Sequence, residues 1–200
     1  MGENDALHAY RSKRDLHRGG EPSGSRRRPG RRPAFVVQKH SARSLHYDFR
    51  LEADGVLKSW AVPKGPSADP AVKRLAVPTE DHPLDYENFE GTIPRGEYGA
   101  GAVIVWDTGT YDNRTKDSSG KTVPVAEAIE QGHVTFDLHG TKLRGGYSLT
   151  RIAARRDERG PVWLLVKKAD TFAEPGSDPE QDEPESVTSG KDIEQVADEK

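Results

Sequence analysis

Between Leu45 and Glu52, the residues His46, Asp48, Arg50 and Glu52 alternate with Leu45, Tyr47, Phe49 and Leu51. In an extended strand rising about 3.3 Å per residue, that alternation sends the two sets to opposite faces and spaces same-face neighbours about 6.5 Å apart. Imidazole nitrogen and carboxylate oxygen are ligands for divalent transition metals, so His46 and Asp48 can grip one ion while Arg50 reaches an anion bound to it. His40, at the end of the preceding apolar run, completes a two-His, one-carboxylate set. Alternating polar residues on a strand ordinarily make a solvated face. Such a face is filled with Lys, Glu, Thr or Ser, whereas His and Asp in register with Arg are poor choices for a sheet and need a reason. Ligands on this outward face are expected to be solvent-exposed and to contribute little packing.

With no Cys in 200 residues, disulfides, thiolate nucleophiles and Cys-type zinc sites are excluded, and a metal must be held by His, carboxylate and water. That ligand set suits manganese, iron or zinc. The elements that would position it are mostly strands. The pattern predicts them at Ala34 to Lys39, Leu45 to Glu52, Val56 to Val62, Arg74 to Thr79, Ala102 to Trp106, His133 to Leu138, Gly146 to Ile152 and Val162 to Lys167. Asp54-Gly55 signals a tight turn between the second and third. Val125 to Gln131 reads as a short helix and Ala6 to Asp15 as another. Short strands with Gly-rich punctuation predict a mainly β fold: a compact closed or nearly closed β-barrel with one or two short flanking helices.

Hydrophobic residues make up only 32% of the chain, so part of its length lies outside the core. Residues 1–33 form a basic arm, with nine Lys and Arg against four acidic residues; 34–170 form the barrel. Residues 171–200, with ten acidic residues against two Lys among Pro, Gly and Ser, read as an acidic, disordered tail whose removal leaves the chemistry unchanged. The net charge of -3 conceals this segregation. A basic arm beside a phosphate site favours nucleic acid as the partner. With no run approaching about 20 apolar residues and no apolar leader, a monomeric cytoplasmic protein without membrane contact is expected.

The central loops add further groups. Pro63 and Pro66 stiffen the chain around Lys64. If Arg74 to His82 stays extended, Arg74, Glu80 and His82 share a face, with Pro78 weakening that inference, and Tyr86 follows four residues later. Gly91, Gly96, Gly99 and Gly101 suggest a phosphate loop, but no helix bearing a Lys-Ser/Thr pair follows, so they read as turns and a bulge. Two rival readings use other residues. A non-haem iron oxygenase would pair His46 and Asp48 with His139 and bind an oxoacid through Arg151. A non-catalytic nucleic-acid-binding barrel would use Trp60, Trp106, Trp163 and several Tyr as stacking platforms.

The blocks QKHSARSLHYDFRLE, WAVPKGPS, TEDHPLDYENFEG, IPRGEYGAG, HGTKLRGGYSL and WLLVKKAD resemble, in order and spacing, the 3′-phosphoesterase domain of the bacterial DNA ligase D family. The resemblance spans roughly Tyr10 to Asp170 and implies a β-barrel with its site in a crescent groove. It implies manganese-dependent trimming of 3′-phosphates and 3′-terminal ribonucleosides from DNA or RNA-containing ends before ligation. Residue by residue, it implies His40, His46 and Asp48 as manganese ligands. Arg50, His82 and Tyr86 then fall around the scissile phosphate, with Lys64 and Arg74 as further phosphate contacts. Arg14, Asp15, Glu21, Gln38 and Glu80 fall among residues serving ribonucleotide removal. His82 is left as phosphate donor, proton carrier or nucleophile. The Arg-rich insert Arg26 to Arg32 departs from the family pattern. Polymerase and ligase blocks are absent, which implies a stand-alone member working with a separate ligase or end-joining factors.

Overall fold

In the computed structural model, residues 6–24, 32–153, 160–178 and 182–199 are described. Most of the expected Arg-rich insert, and parts of both charged termini, lie outside them. The strands are β1 (Ala34–Ser41), β2 (Leu45–Ala53), β3 (Val56–Val62), β4 (Lys73–Pro78), β5 (Gly91–Ile93), β6 (Gly101–Asn113), β7 (His133–Gly140), β8 (Arg144–Ile152) and β9 (Val162–Lys167). They pair antiparallel in the order β1-β2-β3-β4-β9-β8-β7-β6-β5, and a further β1 to β6 pairing closes eight of them into a barrel with β5 outside the ring. Closure leaves the barrel strands without a free edge. The short helices α1 (His8–Ser12), α2 (Leu16–Gly19), α3 (Val125–Gln131) and α4 (Ile193–Asp198), with a 3-10 turn at Leu84–Asn88, flank it.

Period-two patterning fills the interior. Phe35 and Val37 of β1 join Tyr47, Phe49 and Leu51 of β2, Trp60 and Val62 of β3, and Phe136 and Leu138 of β7 in one core. The Asp54-Gly55 turn forms as expected: φ is 50° at Asp54 and 78° at Gly55, the double positive φ that a right-twisted hairpin turn demands. A register shift in the β1–β6 pairing sets Val37 opposite Asp107 and Gln38 opposite Val105, so Trp106 is an extra, bulged residue. Its indole enters the core and donates to the Glu183 carbonyl at 2.6 Å.

The opposite face of β1 and β2 is not solvated. Val36 and Leu57 pack with Val105, with Tyr10 from α1, and with Leu84 and Tyr86 from the 3-10 turn. The arm and the loop after β4 thus form a second layer over the polar face of β2. Asp48 and Arg50 lie beneath it, only 7% and 3% exposed. The expectation of solvent-exposed ligands fails because a second apolar cluster pulls these segments down onto the strand.

The expectation of a disordered tail also fails for residues 182–199. Val187 N–H donates to the Val105 carbonyl, and Ile193 and Val196 of α4 bury against Ala102 and Ile104 of β6. Asp192 and Gln195 cap the helix reciprocally, supplying the hydrogen bonds that a short helix needs. High charge hid two apolar residues three apart that suffice for docking. Ile193→Ala should therefore destabilise the protein by about 2 to 3 kcal/mol, read as a lower urea midpoint at constant m-value. An unchanged midpoint would show that the segment does not dock in solution. The expected neutrality of removing 171–200 changes accordingly, since that truncation strips this cover from β6.

Candidate active site

β1 and β2 pair with His40 directly opposite His46 and Gln38 opposite Asp48. That register turns a sequence alternation into a cluster. His40 Nδ1 lies 3.5 Å and His46 Nε2 3.7 Å from Asp48 Oδ2. The other nitrogen of each ring is tied to the backbone, His40 Nε2–H donating to the Gly99 carbonyl at 2.7 Å and His46 Nδ1–H to the Ser44 carbonyl at 3.0 Å. Two imidazole lone pairs therefore converge on one carboxylate, the arrangement in which outer-shell carbonyls orient His ligands toward a metal. Ligands about 2.1 Å from one ion stand roughly 3.0 to 3.4 Å apart; the two imidazole–carboxylate separations lie close to that range, and with all three ligand atoms within 4.8 Å of one another a bound divalent cation would draw the set together. Without a cation, converging lone pairs and a carboxylate repel one another.

Arg50 Nη2 approaches the same Asp48 oxygen at 3.3 Å. Burial opposes ionisation of Asp48, but Arg50 first, and the imidazoles when they carry a proton on the facing nitrogen, outweigh it and hold the carboxyl well below the ordinary range. Arg50 is itself over-determined. Its Nε donates to Gln38 Oε1 at 2.8 Å, its Nη1 to Ser59 Oγ at 2.9 Å, and Gln38 spends its amide N–H on the carbonyls of Tyr86 and Phe89.

His82 is positioned by backbone pairing rather than by a strand of its own. β4 pairs with β3 only through Pro78 and Val77. The chain then bends until His82 and Leu57 exchange both backbone hydrogen bonds, at 2.8 and 3.0 Å. This brings His82 Nδ1 to 2.8 Å from the Glu80 carbonyl and 2.9 Å from Arg50 Nη1, while Nε2 faces Arg14 Nη2 at 3.2 Å. Arg14 can only donate to Nε2 and the Glu80 carbonyl can only accept from Nδ1, which places the proton of the neutral ring on Nδ1 and leaves Arg50 Nη1 in contact with that nitrogen without a hydrogen bond to it. Burial first, then Arg50 and Arg14, hold His82 well below its usual range and keep the ring neutral.

The arm closes the site. Arg14 bonds Glu21 at 3.0 Å and Glu80 at 2.7 Å. Glu21 also accepts from the buried Tyr86 hydroxyl at 2.9 Å, while Tyr10 donates to the Pro22 carbonyl. Burial and Glu21 together push the Tyr86 phenol well above its usual value. The resulting cleft encloses about 660 Å³ and is lined by Arg14, His40, His46, Asp48, Arg50, Glu80, His82 and Tyr86 from the expected set. Glu21 and Gln38 lie behind its wall as buried supports. Asp15 is exposed where α1 gives way to α2, Lys64 is exposed in the loop after β3, and Arg74 is half-buried on β4; none of the three lines the cleft. The face shared by Arg74, Glu80 and His82 is broken at Pro78. Ser59, Arg43 and Tyr98 were missed: Ser59 shares the outward parity of Leu57 and Ala61, and Tyr98 sits in a glycine loop read only as turns.

The oxygenase geometry fails, and so do the Trp platforms of the binding barrel. His139 on β7 hydrogen-bonds Asp112 and stands opposite Thr110, while His40 stands opposite Val103. Seven residues of β6 separate those positions, about 23 Å. His139 therefore cannot join His46 and Asp48. Trp60, Trp106 and Trp163 are 2%, 1% and 3% exposed and belong to the barrel core, so they offer no stacking platform. Gly91, Gly96, Gly99 and Gly101 all have positive φ at turns and strand edges, as expected of punctuation rather than a phosphate loop.

Comparison with known proteins agrees with this architecture. The profile of the DNA ligase D 3′-phosphoesterase domain matches residues 38–151. The chain is 50% identical over 172 residues, 85% of its length, to the multifunctional non-homologous end joining protein LigD of Pseudomonas aeruginosa, covering 19% of that protein. It is 48% identical over 161 residues, 80% of its length, to the LigD DNA repair protein of Mycobacterium tuberculosis, covering 19% of that protein. Against LigD of Mycolicibacterium smegmatis it is 41% identical over 172 residues, 83% of its length and 21% of that protein. The chain thus spans about one fifth of the curated relatives it matches. With the family profile matching more than half of the chain and 50% identity to a member over 85% of it, the chain belongs to the DNA ligase D 3′-phosphoesterase domain family.

Proposed function

We propose that the cleft hydrolyses phosphoesters at nucleic-acid 3′ ends, removing a terminal 3′-phosphate or a 3′-terminal ribonucleoside to leave an end that a ligase can join, with manganese at His40, His46 and Asp48. The observation that carries this reading is the convergence of two imidazole nitrogens and Arg50 on the Asp48 carboxylate at the floor of a cleft, with His82 and Arg14 in its wall. A divalent cation held there would polarise a phosphoryl oxygen and offset the charge of the dianion.

Arg50 is the fixed donor for a second phosphoryl oxygen, pre-aimed by Gln38 and Ser59 so that it need not reorganise as charge builds. His82 is kept neutral by two guanidiniums while the cleft is empty. A phosphate dianion arriving between them reverses the local field and raises the affinity of Nε2 for a proton, which it then delivers to the departing oxygen. Water forms the new bond to phosphorus as the bond to the ester oxygen breaks. For a 3′-phosphate that oxygen is the O3′ of the retained strand; for a terminal ribonucleoside it is the nucleoside's O5′, and the strand is left with a 3′-phosphate that the first reaction then removes. Only the second substrate needs a site for a leaving nucleoside, and Glu80 and Arg14 are the polar groups in the wall that serve it. The role of DNA ends and of end-joining proteins as partners rests on family membership.

The test is a labelled primer-template ending in a 3′-phosphate or in one ribonucleotide, incubated with manganese and with a chelator. Both ends should become ligatable 3′-hydroxyls with manganese and persist under chelation. Unchanged termini in both conditions, or turnover indifferent to the chelator, would overturn the proposal.

A further inference from the structure

Tyr98 lines the cleft and is 46% exposed, although it is a large aromatic side chain. The other exposed large apolar side chains among the described residues, Leu75, Val77 and Phe172, lie away from it. Two tandem turns hold the loop that carries Tyr98, with Glu97 N–H bonded to the Pro94 carbonyl and Ala100 N–H to the Glu97 carbonyl, both at 3.2 Å. The next residue, Gly99, adopts φ 77° and offers its carbonyl to the metal-ligand candidate His40. Tyr98 is therefore one residue from the group that orients a ligand, and its position is tied to that of the metal centre. Lys13 Nζ and the Arg14 guanidinium lie 5.1 and 5.0 Å from the ring centroid. Both cations also reach Glu80, at 3.1 and 2.7 Å. Cations over the ring fix its plane at the cleft wall, and Glu80 sets a hydroxyl acceptor beside it.

We infer that Tyr98 is the stacking shelf for the base of the 3′-terminal ribonucleoside, the leaving nucleoside beyond the scissile phosphate, with Glu80 receiving its ribose hydroxyl. This subsite rests on the 3′-end-processing reading. A bare 3′-phosphate has no base and no hydroxyl in this position, so neither group serves it. A π-face is common to all four bases, which makes the shelf tolerant of sequence. The flat ring does not require its phenol for this task.

The experiment compares wild type, Tyr98→Phe and Tyr98→Ala on three manganese-saturated primer-templates, ending in one ribonucleotide, in a baseless ribose, or in a 3′-phosphate. Tyr98→Ala should raise KM for the ribonucleotide end about 10-fold, and for the baseless and 3′-phosphate ends by less than about twofold. Tyr98→Phe should follow wild type. A terminal 2-aminopurine riboside, bound without metal, should be quenched by wild type and by Tyr98→Phe but not by Tyr98→Ala. Equal losses on ends with and without a base, or quenching preserved in Tyr98→Ala, would overturn the shelf. Wild type that quenches through Tyr98 but releases nothing would support the shelf and overturn the processing reading; wild type showing neither would overturn both.

Discussion

Asp48→Asn should lower kcat/KM for 3′-phosphate hydrolysis by roughly 1,000-fold at saturating manganese, equivalent to about 4 kcal/mol of transition-state stabilisation. Asparagine keeps the shape of the side chain but loses the charge on which both imidazoles and Arg50 converge. Asp48 is also part of a buried ion pair, so the variant should lose about 3 kcal/mol of stability by leaving the guanidinium uncompensated. The pH dependence has a definite sign. A carboxyl held below its ordinary value contributes its full stabilisation above the unfolded value of about 4 and loses it only as pH falls through the depressed folded value. His46→Ala separates metal binding from folding, because His46 is only half-buried whereas Asp48 is buried. It should abolish manganese binding in calorimetric titration with little change in melting temperature. Wild-type manganese affinity in both variants, with turnover still sensitive to chelator, would show that the ion sits elsewhere.

For His82→Ala the expected loss is about 1,000-fold in kcat on both a 3′-phosphate and a ribonucleotide end, within the range of a positioned proton donor. Its cause is separable from damage to Arg50, which touches the same ring. An alkoxide leaving group needs a proton as its bond breaks, whereas a nitrophenolate does not. A 3′-nitrophenyl phosphodiester at the primer end should therefore lose no more than about 10-fold in the same variant. Equal losses on alkyl and aryl leaving groups would instead assign His82 to holding Arg50 or the phosphate. Burial and two guanidiniums predict that the free enzyme's ring titrates well below the usual imidazole range. A proton resonance for His82 that titrates normally in the empty cleft would contradict the depressed state from which the proton-delivery step starts.

Alternation on β2 was legible because a strand's geometry is local: side chains two apart share a face whatever the strand packs against. The same holds for the Asp54-Gly55 turn, for α3, which matches Val125 to Gln131, and for the core parity of Phe35, Val37, Phe49 and Leu51. His40 could be nominated from the sequence, but only the β1–β2 register sets it opposite His46. Other placements depend on distant pairings with no local period. Arg14 meets Glu80 across 66 residues, and His82 reaches Arg50 because Leu57 captures its backbone once Pro78 ends β4. The same bend leaves Arg74 outside the cleft. Composition misled at the acidic tail, where an excess of carboxylates concealed Ile193 and Val196; burying two side chains against β6 depends on which residues meet, and not on average charge. Residue types and strand period determined the chemistry this chain can perform. Tertiary structure decided which groups share one cleft, because closure of the barrel and the layer over its polar face bring together residues that the chain keeps far apart.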